Sequence, residues 1–225
     1  ILDTDSSPFD GGIGGSRVTH MAGKAMLRAS QQARERLIAV ASKLLGTPEG
    51  HVQLCGGHFF DIDKPGKGLP MAGVARAASK AGESVEGYVS YTPDIKDETT
   101  SFCAQVAEVE VDPETGQVNV RRIVSANDVG TVLNPLTLHG QIEGGVVMGL
   151  GYALMEELKV EGGQVLTAHF GDYKIPTIRD VPNLTTVLLD EPTGPTPYEG
   201  KGIGETPNCP TASSIANAVA DAVGV

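Results

Sequence analysis

Residues 101–125 read SFCAQVAEVEVDPETGQVNVRRIVS, and this stretch decides the fold of the chain. Apolar and polar side chains alternate over residues 101–111 and again over 118–125, which is the period of a strand with one buried face. The DPETG sequence at residues 112–116 is typical of a turn with left-handed backbone at Gly116. The stretch therefore predicts a β-hairpin.

Residues 138–158 follow the hairpin and keep the helical period of apolar side chains. Five glycines lie among them, at positions 140, 144, 145, 149 and 151, and each would cost an exposed helix about 1 kcal/mol relative to alanine. Two explanations stay open: tight packing against a sheet, or a ligand close to Gln141, which the polar Gln141 and Glu143 favour. Asn134-Pro135 is expected to break the chain before this helix.

The remaining elements alternate irregularly between strands and helices. The patterns predict a strand end entering a loop over 1–10, a helix over 17–45 ended by Gly46, short strands over 52–54 and 58–62, a helix over 69–81 ended by Gly82, strands over 83–91, 165–169 and 185–190, a loop over 173–177, an extended proline-rich segment over 191–198, and a helix over 210–225. This order favours an α+β fold with mixed sheets and packed helices.

A glycine-rich segment, GGIGGS at residues 11–16, leads directly into the first helix. Free backbone N–H groups and the helix dipole make such a junction a ready anion site, and Ser16 and Thr19 add hydroxyl donors. The segment lacks the Gly-Lys-Ser/Thr ending of a P-loop and does not fit a dinucleotide-binding GxGxxG. A structural helix with a simple N-cap explains it equally well.

A second glycine-rich segment, GKGIGETP at residues 200–207, places three glycines at alternate positions before Glu205. Without side chains the backbone can approach another object very closely here. Glu205 is expected at a junction between a loop and a helix, a position from which catalytic residues are often presented. Spacing alone is equally compatible with a plain turn that carries a solvated glutamate.

Composition excludes several classes of protein. A net charge of -11 argues against binding to a nucleic acid backbone or an anionic membrane, and no apolar run is long enough to span a bilayer. Three separated cysteines and five scattered histidines do not predict a metal site, and a reduced compartment is favoured over a disulfide framework. Cys209 is interpreted as a buried packing residue, and Asp128 and Asn134 as turn-capping residues. Because it starts at Ile1 without Met, the chain is expected to be a piece of a longer polypeptide.

A set of short motifs, in order along the chain, resembles the C-terminal part of the molybdenum-binding large subunit of the xanthine oxidase and aldehyde oxidase family of molybdenum hydroxylases. The motifs are Asp3-Thr4-Asp5, Gly14-Gly15-Ser16-Arg17, Ala107-Glu108-Val109-Glu110-Val111-Asp112, Asp128-Val129-Gly130 with Asn134-Pro135, Gly140-Gln141-Ile142-Glu143-Gly144, Asp172-Tyr173-Lys174-Ile175-Pro176, Gly202-Ile203-Gly204-Glu205, and Ile215-Ala216-Asn217-Ala218-Val219. The resemblance implies that residues 1–225 form the second half of the molybdenum cofactor-binding domain.

The resemblance also implies roles for individual residues. Glu205 would be the catalytic general base beside the molybdenum. The residues implied to contact the pterin cofactor are Gly15, Ser16, Arg17, Val18, Thr19, Gln141 and Gly204. No protein atom would ligate the metal, because the dithiolene sulfurs of the pterin hold it.

The implied activity is oxidation of an aldehyde or an N-heterocyclic, purine-like substrate, with water as the oxygen source. Carbon monoxide is less favoured, since its diagnostic cysteine loop would lie upstream of this chain. The implied cofactor is molybdopterin with Mo, in its mononucleotide or cytosine dinucleotide form. Iron–sulfur clusters and FAD would sit on partner subunits or domains, in a cytoplasmic multi-subunit enzyme. The alternative is a non-catalytic cofactor cradle or assembly module that needs partner chains.

Three glycine-rich segments each precede or open a predicted helix: before Arg17, at Gly140 and before Pro210. We hypothesise that these three helix N-termini converge on one anionic cofactor. A structure in which they lie far apart would contradict this hypothesis.

Overall fold

The computed structural model describes residues 3, 5, 11–93, 100–194 and 196–225. The strand end predicted over residues 1–10 therefore falls, apart from Asp3 and Asp5, outside the described residues. The chain divides into two compact units, Met21–Pro93 and the residues before and after it. In the described part, the helices and strands are, in chain order, α1 Val18–Leu45, β1 Val52–Cys55, β2 His58–Asp61, β3 Lys64–Pro70, α2 Met71–Lys80, β4 Cys103–Val111, β5 Val118–Asp128, α3 Pro135–Leu154, β6 Val160–Glu161, β7 Gln164–Val165, β8 Asn183–Leu189 and α4 Thr211–Val223. These mixed elements confirm the α+β class.

The Met21–Pro93 unit packs α1 and α2 on an antiparallel sheet of order β1-β2-β3. Its core consists of Val40, Ala41, Val52, Phe59, Val74 and Ala78. The predicted first helix, its end at Gly46 in left-handed backbone, and the β1–β2 hairpin are confirmed.

Two predictions in this unit are wrong. Strand β3 was not expected, because its sequence KPGKGLP is rich in glycine and proline, and α2 consequently begins at Met71 rather than at residue 69. The strand predicted over 83–91 has no regular structure. This segment lies along α1 instead of another strand: the Tyr88 N–H donates to Gln32 Oε1 at 3.1 Å, and the backbone at Gly87 packs directly on Ala29.

The other unit is built on the predicted hairpin, β4 and β5, which is confirmed together with the positive φ of 73° at Gly116. Strand β8 adds to β5 in parallel, so the sheet has the order β4-β5-β8. Helices α3 and α4 cover one face, and the core between them consists of Val120, Ile123, Val146, Leu150 and Ile215. The predicted strand near 185–190 and the final helix are confirmed.

Helix α3 starts earlier than expected. Asn134 Oδ1 accepts a hydrogen bond from the Thr137 N–H at 3.2 Å, and Pro135 occupies the first turn. Proline is favoured at that position because its missing N–H has no partner there. Pro135 therefore begins the helix rather than breaking the chain, and the helix ends at Leu154 rather than at residue 158.

The glycines of α3 divide into two groups. A Cβ at Gly145 would lie 3.1 Å from Pro207 Cβ, one at Gly149 would collide with Thr211, and one at Gly151 would collide with the Glu156 carboxylate. These three positions confirm close packing, although the first two pack against the chain at Pro207 and α4 rather than against a sheet. Around Gly140 and Gly144, by contrast, no described atom lies within 4 Å of the Cβ position.

Two segments between α3 and α4 depart from the predictions. Of the strand expected over 165–169, only Val165 lies in a strand, Gln164–Val165, which pairs with Val160–Glu161. The His169 carbonyl instead accepts turn hydrogen bonds from later residues. The segment over 191–198, of which Pro195 lies outside the described residues, turns at Pro197–Glu199 rather than staying extended, and Tyr198 there has left-handed backbone with φ 61°. Among the described ranges, no helix has the length and apolarity needed to cross a membrane.

Candidate functional site

A cavity of about 450 Å³ lies in the hairpin-containing unit, where three segments of the chain meet. Its lining is Ile13, Gly14, Gly15, Ser16, Val18, Thr19, Val129, Thr131, Leu133, Asn134, Thr137, Leu138, Gln141, Lys201, Gly202, Ile203, Gly204 and Glu205. The N-termini of α1 and α3 are thus at one cavity, as the convergence hypothesis requires.

The third segment reaches the cavity in a different way from the one expected. Glu205 precedes a 3-10 turn, Thr206–Asn208, and α4 begins only at Thr211. The dipole of a helix acts mainly within its first turn, and Glu205 is not part of the first turn of α4.

Ser16 joins the N-terminal segment to the segment of Glu205. Its backbone is left-handed, with φ 56° after Gly15 at φ 65°, and its Oγ accepts a hydrogen bond from the Glu205 N–H at 2.9 Å. A Cβ at Gly202 would collide with the Ser16 carbonyl, and one at Gly204 would lie 3.2 Å from Ser16 Oγ. At least part of the close approach that the alternate glycines predicted is therefore an approach to the protein's own backbone.

Gln141 joins α3 to the same segment. Its Nε2 donates a hydrogen bond to the Gly204 carbonyl at 2.9 Å. Since Ser16 holds the N–H of Glu205 and Gln141 holds the carbonyl just before it, the peptide unit that leads into Glu205 is fixed from two sides. The Glu205 side chain itself is exposed at the cavity.

A largely buried ion pair connects the Glu205 segment to the end of β5. Lys201 Nζ lies 2.5 Å from Asp128 Oδ2, and the two side chains are only 10% and 18% exposed. The backbones of the two segments are joined as well, because the Lys201 N–H donates a hydrogen bond to the Val129 carbonyl at 2.8 Å. Asp128 was interpreted as a turn-capping residue; it does approach the Gly130 N–H, at 3.5 Å, but its second oxygen neutralises Lys201. Asp128 belongs to one of the ordered motifs and Lys201 to the glycine-rich segment 200–207, but no signal in the sequence predicted that the two side chains pair.

The structure brings most of the predicted site residues to one cavity. Seven of the eight line the cavity, whereas Arg17 does not. Residues that the sequence reasoning missed lie mainly on the β5 extension and the first turn of α3, and the Asn134-Pro135 helix start was the signal that could have found them. Cys209 was expected to be buried but is exposed, with its thiol 3.6 Å from the Glu205 carbonyl.

A separate group of titratable side chains lies in the Met21–Pro93 unit. The ligand atoms of His51, Asp61 and Asp63 all lie within 4.8 Å of one another. They already bond to each other: His51 Nδ1 lies 2.8 Å from Asp63 Oδ2, and Asp61 Oδ1 accepts from the Asp63 N–H at 2.9 Å. That N–H and the Thr47 side chain hold the pKa of Asp61 below its ordinary value. These hydrogen bonds explain why the three side chains lie together: they stabilise a local turn.

Comparisons with known proteins show the family to which the chain is similar. A family model of the molybdopterin cofactor-binding domain matches residues 1–182. The chain is 34% identical over 229 residues to a putative xanthine dehydrogenase molybdenum-binding subunit of Escherichia coli (strain K12), covering 99% of this chain and 30% of that protein. It superposes on a crystal structure of the Cu,Mo-carbon monoxide dehydrogenase with a TM-score of 0.87 and 30% identity, covering 98% of this chain and 28% of the other. For quinoline 2-oxidoreductase from Pseudomonas putida 86, the TM-score is 0.85 at 28% identity, with 98% and 29% covered.

The chain spans about 30% of the length of the curated relative. Within that span the likeness is continuous, since both the sequence match and the structural match take in nearly all of this chain. The chain therefore belongs to the molybdopterin cofactor-binding family of the xanthine oxidase and aldehyde oxidase type of molybdenum hydroxylases.

Proposed function

We propose that this chain supplies the catalytic base and part of the cofactor cradle of a molybdenum hydroxylase. The enzyme oxidises an aldehyde or an N-heterocyclic, purine-like substrate and takes the oxygen from water. The observation that carries the proposal is the meeting of the glycine-rich segments 11–16 and 200–207 with the first turns of α3 around one cavity. Glu205 is the single carboxylate among the described lining residues of that cavity.

The donor set of the cavity fits molybdopterin. Among the described lining residues there is neither His nor Cys, and Glu205 is the single carboxylate. Such a lining suits a metal that enters the cavity already bound to an organic ligand. The backbone at the N-terminus of α1 presents N–H groups suited to a phosphate. We assign contacts with the cofactor to Gly15, Ser16, Val18, Thr19, Gln141 and Gly204, and no direct contact to Arg17. When bound, the cofactor supplies two-electron redox chemistry at the molybdenum.

Glu205 acts as the proton acceptor in this proposal. Its carboxylate is exposed at the cavity, where it can reach a bound reactant. Ser16 and Gln141 fix the peptide unit before it, so the base enters the reaction from a defined position. In the ion pair, the Asp128 carboxylate neutralises the charge of Lys201, which lies in the same segment as Glu205.

The remaining parts of the enzyme lie outside this chain. The Escherichia coli relative is named as a molybdenum-binding subunit, which supports assembly with further subunits. We infer that the other part of the molybdenum subunit completes the pocket, and that iron–sulfur and flavin subunits carry the electrons away. The cofactor takes its mononucleotide or cytosine dinucleotide form, and the complex works in the cytoplasm.

The test is Glu205→Gln in the complete protein assembled with its partners. Turnover of a panel of aldehydes and N-heterocycles with an artificial electron acceptor should fall by about 10²- to 10⁴-fold, the usual contribution of a general base. Molybdenum and pterin content should stay at the wild-type level. The matched control is Glu143→Gln, an exposed glutamate on the same helix as Gln141 that does not line the cavity.

Two results would contradict the proposal. Turnover of the Glu205→Gln variant within tenfold of wild type would refute the role of the base. A complete wild-type protein that contains neither molybdenum nor pterin would instead favour the non-catalytic assembly module.

A further inference from the structure

A group of buried polar atoms lies beneath the turn that follows Glu205. The Pro207 carbonyl accepts a hydrogen bond from Gln105 Nε2 at 2.7 Å and lies 2.9 Å from Thr211 Oγ1. Thr211 Oγ1 is also 2.7 Å from Gln105 Oε1. Gln105 Nε2 further donates to Ser125 Oγ at 3.1 Å. Four elements of the fold, β4, β5, α4 and the turn, thus meet at one side-chain amide.

Because these atoms are largely buried, the loss of one of their hydrogen bonds would destabilise the protein. Thr211 and Pro207 are among the fully buried side chains, and Gln105 is half-buried. A buried carbonyl or hydroxyl that loses its partner costs more than an exposed one, because water does not replace the lost bond. The side chain of Gln105 therefore resists any movement of the Pro207 carbonyl.

The turn makes few backbone hydrogen bonds of its own, although Pro207 also packs against Gly145 of α3. It comprises only Thr206–Asn208, and its backbone bonds are the Asn208 N–H to the Glu205 carbonyl at 3.1 Å and the Cys209 N–H to the Thr206 carbonyl at 3.3 Å. Pro207 has no N–H to donate. The strongest attachment of the turn to the sheet is consequently the short bond from Gln105.

We propose that Gln105 is a positioning residue, which holds the turn after Glu205 against the hairpin and thereby fixes the base at the cavity. This inference rests on the proposed function for its catalytic consequence, but not for its structural one. Gln105 does not line the cavity and acts only through the backbone of the turn.

The test uses the complete assembled protein with side-chain replacements that preserve volume. Gln105→Met removes both the NH2 donor and the carbonyl acceptor of the side-chain amide. Thr211→Val removes the hydroxyl, while Thr211→Ser keeps it. The control is Gln117→Met, an exposed glutamine in the loop of the same hairpin. Hydrogen exchange measured by mass spectrometry should be about tenfold faster for the peptide that spans residues 205–209 in the first two variants. It should be unchanged in Thr211→Ser and Gln117→Met.

Kinetics separate positioning from a general loss of structure. In Gln105→Met we expect kcat per bound molybdenum to fall roughly ten- to a hundredfold, with KM changed less than about twofold and molybdenum content unchanged. A merely structural role would instead lower the yield and the molybdenum content and leave kcat per bound molybdenum intact, which would overturn the inference.

The two proposals fail in different ways. If Glu205→Gln removes turnover but Gln105→Met and Thr211→Val keep wild-type exchange and kcat, this inference is wrong and the proposed function stands. If the wild-type protein holds no cofactor, the proposed function is wrong. In that case, hydrogen exchange of residues 205–209 alone tests whether Gln105 orders the turn. Wild-type exchange in Gln105→Met and Thr211→Val would refute this role of Gln105.

Discussion

The ion pair of Lys201 and Asp128 allows a quantitative prediction about the segment that carries Glu205. With 10% and 18% of the side chains exposed, the pair is largely removed from water. Replacing Asp128 with Asn keeps the shape but leaves the Lys201 ammonium without its counter-charge. Removal of one partner from a buried pair costs roughly 3–5 kcal/mol, and the residual exposure puts this pair near the lower end, at about 3 kcal/mol.

The corresponding shift in melting temperature follows from the size of the protein. For a chain of 150–250 residues, each kcal/mol lowers Tm by about 2–4 °C, so Asp128→Asn should lower it by roughly 6–12 °C. The protein has no tryptophan, so urea and thermal unfolding are followed by far-UV circular dichroism. The transition to score is that of the hairpin-containing unit.

A double variant shows whether the charge or the shape is responsible. Asp128→Asn with Lys201→Met replaces the ammonium with an apolar group of similar length, and its stability should lie within about 1 kcal/mol of wild type. The coupling energy between the two positions should then exceed about 2 kcal/mol.

An exposed ion pair in the same unit provides the control. Arg121 and Glu110 contact each other across the hairpin with 56% and 62% of their side chains exposed, and Glu110→Gln should cost less than about 1 kcal/mol. A cost below about 1 kcal/mol for Asp128→Asn, or a double variant equal to the sum of the singles, would refute the reasoning.

Two further predictions concern the packing of α3 and the acid stability of the other unit. Gly149→Ala should destabilise the protein by about 1–3 kcal/mol, since its Cβ collides with Thr211, whereas Gly144→Ala should stabilise the helix by up to about 1 kcal/mol; equal effects in urea unfolding would contradict this. The lowered pKa of Asp61 contributes stability that is present above its unfolded-state pKa and is lost as pH falls through the folded-state pKa. Asp61→Asn should therefore flatten the loss of stability of the Met21–Pro93 unit below about pH 4, and an unchanged acid limb of the denaturation profile would contradict it.

Local patterns predicted the elements whose signal lies within a few neighbouring residues. The β4–β5 hairpin was found because its alternation and its DPETG turn agree. The patterns failed where another part of the chain decides the conformation. Strand β3 forms despite its glycines and prolines because β2 provides a partner, and residues 83–91 alternate but lie along α1.

In the candidate site, too, local signals were predicted from the sequence and contacts between distant segments were not. Its glycines and Glu205 were found from composition and from the ordered motifs, but the partners of these residues were not. Arg17 does not line the cavity although its neighbours Ser16 and Val18 do, since neighbours in a loop can point in different directions. Pro135 was misread because a proline before a helix and a proline that ends an element look alike without the Asn134 cap.

The helices, the hairpin and the glycine-rich segments could be predicted from the sequence, because periodicity and turn chemistry depend on near neighbours. The contacts of those segments are known only from the structure. Ser16 meets Glu205 across 189 residues, Gln105 meets Pro207 across 102, and Lys201 meets Asp128 across 73. A sequence pattern predicts which face of an element is buried and where glycine leaves the backbone without side chains. The segment that packs at those places is determined by the packing of the whole unit. For this reason the glycines around Glu205 predicted a close approach, and the structure showed that Ser16 makes it.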